Sequence, residues 1–172
     1  MSPDVIFNIQ LVLGYVACLL CFRAYVWPRL TSMGTFEAQR VIATIHSFRF
    51  FGLVFIVLGV VGPSLPGSFS AFAAYGDFAT GVLALLALLT TRIRPLFWTF
   101  TVAFNVVGIA DLILDYYHAV RSGLPLIAGQ LGATYVIPII YVPALMITHV
   151  VAFYLLLRPQ PSAAMAREVA LS

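Results

Sequence analysis

From Ser122 to Leu157 the chain contains no Asp, Glu, Lys or Arg. Within that stretch, YVIPIIYVPALMITHVVAFYLLL, from Tyr135 to Leu157, is long enough as a helix to cross the hydrocarbon core of a bilayer, which takes roughly 20 residues. Such a run constrains the fold more than any short motif. In lipid every backbone N–H and C=O must be bonded within the protein, so a lone apolar run of this length reads as a membrane helix. Four further runs read the same way, and the spans expected are 5–22, 41–61, 71–90, 96–118 and 135–157. Composition agrees. The chain is 62% hydrophobic and 9% charged, with a mean hydropathy of +1.05, more apolar surface than a soluble domain of 172 residues can hide. The expectation is an all-α integral bundle of five transmembrane helices in one domain, residues 1–172, of which 158–172 form a cytoplasmic tail. The Trp27-Pro28 pair should end the first helix, and Pro138 and Pro143 should kink or delay the last.

The basic residues are all arginines. Arg29 and Arg40 lie in the first loop with Arg23 beside it, none in the second, Arg92 and Arg94 in the third, Arg121 alone in the fourth, and Arg158 and Arg167 in the tail. By the positive-inside rule the N-terminus is expected outside and the C-terminus inside, in a bacterial inner membrane. The net charge of +3 is then a topology signal and not a nucleic-acid footprint. The fourth loop, RSGLPLIAGQLGA, is apolar yet rich in Gly and Pro, and should either dip back into the bilayer or lie as a lid on the outer face. Cys18 and Cys21, inside the first run, read as inert buried thiols.

Against this background the polar residues stand out. In ADLILDYYHAV, Asp111, Asp115 and His118 are spaced i, i+4, i+7 and share one helical face. At a rise of ~1.5 Å per residue the ionisable groups fall into two sets. An outer acidic set holds Asp77, Asp111, Asp115 and His118, and an inner basic set holds His46, Arg49 and His149. A charge at such depth costs about 2.5–3.5 kcal/mol even on lenient insertion scales, so Arg49 is expected to pair with Asp111 or Asp77 inside the bundle. Asn105 and Tyr141 complete the expected polar core, and Gly52, Gly59, Gly81 and Gly108 should let helices approach closely.

The bland reading is that these groups glue a small bundle together. Three functional readings compete with it. In the first, the core orients a small amphipathic ligand or a cofactor. His46 and His149 at matching depth suit axial ligation of a haem, and a quinone-like molecule suits the core equally. In the second, zinc held by candidates such as His46, His149 and Asp111 supports an intramembrane hydrolase, although no HExxH occurs. In the third, the row from His118 through Asp115 and Asp111 to Arg49, His46 and His149 relays protons. A non-catalytic accessory subunit, in a homodimer or a larger membrane complex, is the remaining alternative. No Walker loop, GxGxxG, GxSxG or CxxCH is present, which argues against nucleotide chemistry and covalent haem attachment. The segments NVVGIADLILDYYHA and YVIPIIYVPALMITHVVAFYLLL resemble small polytopic membrane proteins of bacteria. The resemblance covers roughly the last third of the chain and implies a membrane bundle without implying a particular reaction.

Overall fold

The computed structural model describes residues 1–158, and the described residues are helical with short connections. Of the expected tail, only Arg158 falls within them; residues 159–172, with Arg167, lie outside. Helices α1 (Pro3–Cys21), α2 (Trp27–Ser32), α3 (Thr35–Ser47), α4 (Gly67–Leu89), α5 (Arg94–Arg121) and α6 (Val142–Leu157) follow in order. Four helical stretches are long and apolar enough to cross a membrane: Pro3–Ser32, Gly67–Leu89, Arg94–Arg121 and Ile137–Leu157.

Two of these stretches run through prolines by the same device. A π-helical turn, Phe22–Val26, joins α1 to α2, so the helix continues past Trp27-Pro28 instead of breaking there as the sequence suggested. A second π turn, Ile137–Tyr141, precedes α6 and its Pro143. Proline lacks an N–H and its ring crowds the carbonyl four residues back. The wider turn moves that carbonyl aside, and Trp27 and Val142 bond five residues back, to Phe22 and Ile137. In the second turn the displaced carbonyls are covered by α1. Gly14 lies so close to the Ile139 carbonyl that a Cβ would overlap it, and Cys18 Sγ donates to Ile140 O at 3.7 Å. Cys21, expected to be buried, instead faces outward.

The second expected span, 41–61, is not one continuous helix. α3 ends at Ser47 and a 3-10 segment, Phe48–Ile56, takes over. Residues three apart eclipse in a 3-10 helix. Arg49, Gly52 and Phe55 are the buried residues of this segment, and their period of three turns all of them inward. The chain then turns at Gly59, whose φ of 83° needs a glycine; no atom lies within 4 Å of a Cβ built there, so this glycine serves a turn and not helix approach.

The fourth loop forms an irregular 3-10 stretch, Leu124–Tyr135, that buries Leu124, Ala128 and Leu131. It is tied to the turn before α4 by bonds from Gly62 N to Gln130 O at 2.7 Å and from Ser64 N to Gln130 Oε1 at 3.2 Å. It lies as a lid across one end of the bundle, packed on α1 and α5. Two apolar clusters fill the interior. One, at the arginine-bearing end, includes Ala38, Ile42, Ala84, Phe97, Phe104 and Ala152. The other, beneath the lid, includes Phe7, Phe55, Phe69, Leu124, Leu131 and Ile137.

Candidate functional site

The polar residues of five separate segments meet between the two clusters. Arg49 is fully buried and stands at the centre. Its Nε donates to Asp77 Oδ1 on α4 at 2.6 Å, and its Nη2 donates to Asp111 Oδ2 on α5 at 2.5 Å. Its Nη1 donates to the Gly108 carbonyl at 3.3 Å and to His149 Nε2 on α6 at 3.2 Å. Arg49 thus pairs with both candidate aspartates and not with one of them.

Donor and acceptor chemistry fixes the next links. A guanidinium has no lone pair to offer, so His149 Nε2 accepts and its ring proton sits on Nδ1. Nδ1 then donates to Asn105 Oδ1 at 2.9 Å, and Asn105 Nδ2 donates to Thr101 O at 2.8 Å. The chain of bonds starting at Arg49 therefore ends on a helix carbonyl of α5. His46 lies against His149, with ring centroids 3.9 Å apart. The Thr148 hydroxyl donates to the carbonyls of Ala144 and Leu145, so its oxygen accepts from His46 Nε2 at 3.0 Å.

Glycines make the convergence physically possible. A Cβ at Gly52 would overlap the Asp77 side chain, and one at Gly76 would overlap the Asp111 carboxylate. A Cβ at Gly108 would stand 2.8 Å from Arg49 Nη1, and one at Gly81 2.8 Å from the Phe50 backbone nitrogen. Gly76 escaped the sequence reading, as did Thr101 and Thr148, whose roles depend on which partner the fold brings opposite. The spacing Gly76-Asp77 beside a buried Asp was the available signal for the first.

Three expected members sit differently. Asp115 lies at the edge of the polar core, on the wall of a cavity of about 100 Å³ under the lid, and its Oδ1 meets no hydrogen-bond donor among the described residues. The cavity is mostly apolar, walled by Phe7, Leu11, Phe55, Phe69 and Ile137, with Asp77, Asn8 and Tyr116 lining it alongside Asp115. The Tyr141 hydroxyl is buried and likewise without a partner there. His118 does not join the core; its ring stacks on Phe72 of α4 at 4.8 Å, so the row in ADLILDYYHAV splits after Asp115.

The geometry bears on the cofactor readings. With the His46 and His149 rings stacked on each other and both His149 nitrogens bonded, the pair leaves no gap between them for a haem. Among the described residues no three His, Cys, Asp or Glu side chains are grouped to hold a metal ion, so His46, His149 and Asp111 do not form a zinc set. Asp111 is committed to Arg49 Nη2, while His149 takes up Nη1.

No curated protein and no solved structure matches the chain. A family model described as a domain of unknown function, DUF8737, matches residues 6–157, nearly all of the described chain, and the protein belongs to that family.

Proposed function

We propose that the protein is a five-span membrane protein, N-terminus outside, that binds a small amphipathic molecule in the cavity beneath its lid. The fifth span in this reading is α3 together with the 3-10 segment Phe48–Ile56, which rise roughly 37 Å if their axes align, more than the ~30 Å of a hydrocarbon core. The alternating arginines of the loops support the orientation and a bacterial inner membrane. One observation carries the binding reading: a mostly apolar cavity of about 100 Å³ has Asp77 and Asp115 in its wall, with Asn8 and Tyr116 as its other polar members. Mostly apolar pockets with a few polar groups at fixed places are how proteins hold and orient small ligands. Arg49 holds Asp77, one of the two carboxylates, in position, which ties the site to the polar core.

A proton relay is the weaker reading. Arg49 stands in the middle of the row, and a guanidinium keeps its protons. Beyond it, the bonds through His149 and Asn105 stop at Thr101 O, and the first apolar cluster closes that end. The test is mass spectrometry of organic extracts from the detergent-purified full chain, wild type against Ala73→Leu, which fills the cavity. A small molecule carried by wild type and absent from the variant supports binding. Identical extracts, together with proton flux in liposomes that Asp111→Asn abolishes, would favour the relay instead.

A further inference from the structure

We infer that the open groove between α1 and α6 seats an anionic phospholipid, with its phosphate on Arg23 and an acyl chain along the groove. This site lies apart from the cavity beneath the lid and does not depend on it. Where α1 meets the π turn before α6 the two segments touch: Gly14 abuts the Ile139 carbonyl and Cys18 Sγ donates to Ile140 O at 3.7 Å. Beyond that contact a groove of about 950 Å³ opens, with Leu19 and Leu20 on one side and Met146, Ile147 and Val150 on the other. Trp27 also lines it, its ring 5.4 Å from that of Tyr154 on α6. The groove is at the upper end of the roughly 300–1,000 Å³ of ligand sites, and its hydrocarbon walls suit a chain and not a bare ion.

Arg23 supplies the polar end of the groove. It belongs to the membrane-length stretch Pro3–Ser32 and stands roughly 30 Å along the helix from Pro3, one hydrocarbon thickness from the start. That is the level of lipid phosphates, and Tyr25 and Trp27 follow it as interfacial aromatics do. Arg40 is bonded to Glu37, and Arg94 lies over the Phe36 ring at 3.5 Å, whereas the Arg23 side chain has no hydrogen bond or ion pair among the described residues. A guanidinium matches phosphate oxygens with paired donors. The surroundings select a headgroup of net negative charge. No acid occurs between Asp4 and Glu37 or between Asp115 and Arg158, so a headgroup ammonium would meet no carboxylate here. A second copy of the chain fits less well, because its Glu37, Asp77 and Asp111 are already paired with arginines.

The test uses Trp98→Phe, which leaves Trp27 as the sole tryptophan, with the full chain in vesicles of equal parts phosphatidylglycerol and phosphatidylcholine. Bromine on the acyl chains of one lipid or the other quenches Trp27 fluorescence on contact. The quenching should give phosphatidylglycerol an advantage of about fivefold, the ~1 kcal/mol that one arginine provides at an anionic surface. Arg23→Gln should reduce the advantage to none, and Val150→Phe, which narrows the groove and keeps Arg23, should do the same. Arg29→Gln, which removes an equal charge outside the groove, should leave it in place. Equal quenching by the two lipids in the Trp98→Phe protein would overturn the inference. So would an advantage that survives Arg23→Gln or Val150→Phe, which would mark diffuse attraction to the arginine-bearing end. An advantage abolished by soluble glycerol 3-phosphate would also overturn it, since Arg23 would then take a free anion and not a lipid.

Discussion

The two apolar clusters on either side of Arg49 are built differently. At the arginine-bearing end, regular helices α3, α4, α5 and α6 set Ala38, Ala43, Ala84, Ala87 and Ala152 against Phe97 and Phe104. Small faces large, and the helices close on each other. Beneath the lid, the cluster draws on the 3-10 segment, the irregular stretch Leu124–Tyr135 and the start of α1, and its aromatic rings surround a cavity. Regular helices can bring small residues into register along a whole face. Segments of changing pitch cannot, and the space they leave is where a guest can sit.

That contrast can be broken at its hinge. Arg49→Ala should cost about 3–5 kcal/mol, because it strands Asp77 and Asp111 in a dry interior. Chemical denaturation in detergent measures it, and Arg49→Met combined with Asp77→Asn and Asp111→Asn should recover part of the loss. A single variant as stable as wild type would mean that the polar core does not hold the two clusters together. Gly76→Ala should come next, at about 2–3 kcal/mol, since its methyl group overlaps the Asp111 carboxylate. Gly67→Ala, with nothing within 4 Å, should be neutral or slightly stabilising in the same assay.

The contrast is sharpened by placing one substitution in each cluster. Ala84→Leu in the closed cluster should lower stability by about 1–3 kcal/mol through overpacking. Ala73→Leu, on the cavity wall, should cost less than ~1 kcal/mol because the added carbons enter existing space. Equal thermal shifts for the two would remove the distinction between closed and open clusters. The smallest loss belongs to Tyr15→Phe, which deletes the 2.7 Å bond between the Tyr15 and Tyr116 hydroxyls; interhelical bonds of this kind contribute ~0.6 kcal/mol on average. A loss several times larger would show that α1 is held by that bond more than by its packing.

Much of this architecture was legible in the residues. The span at 96–118 falls inside α5 and that at 71–90 matches α4 to within one residue at its end, because nothing interrupts their helical pattern. The chemistry of burial also pointed to Arg49 with Asp77 or Asp111, since a deep charge must find its opposite, although not to both at once. What could not be read is pitch. Whether Pro28 ends a helix or is absorbed by a π turn is a choice of pitch that the proline alone does not dictate, and Phe48–Ile56 winds as a 3-10 segment that brings Arg49 and Gly52 onto Asp77. The fate of His118 was hidden for a related reason. Helical spacing puts it in line with Asp111 and Asp115, but the residue opposite is Phe72, and only the packing of α4 on α5 decides that.

The covering of the π-turn carbonyls of Ile139 and Ile140 by Gly14 and Cys18 has a consequence for how the chain is made. The cross-bundle hydrogen bonds of α1 go to Tyr116, Tyr135 and Ile140, all more than a hundred residues downstream. Only 6% of its most apolar window is buried, against 39% for each of the other three membrane-length helices. Much of what holds α1 in place is therefore supplied by residues more than a hundred positions later in the chain, and its docking against the π turn cannot precede the synthesis of that turn.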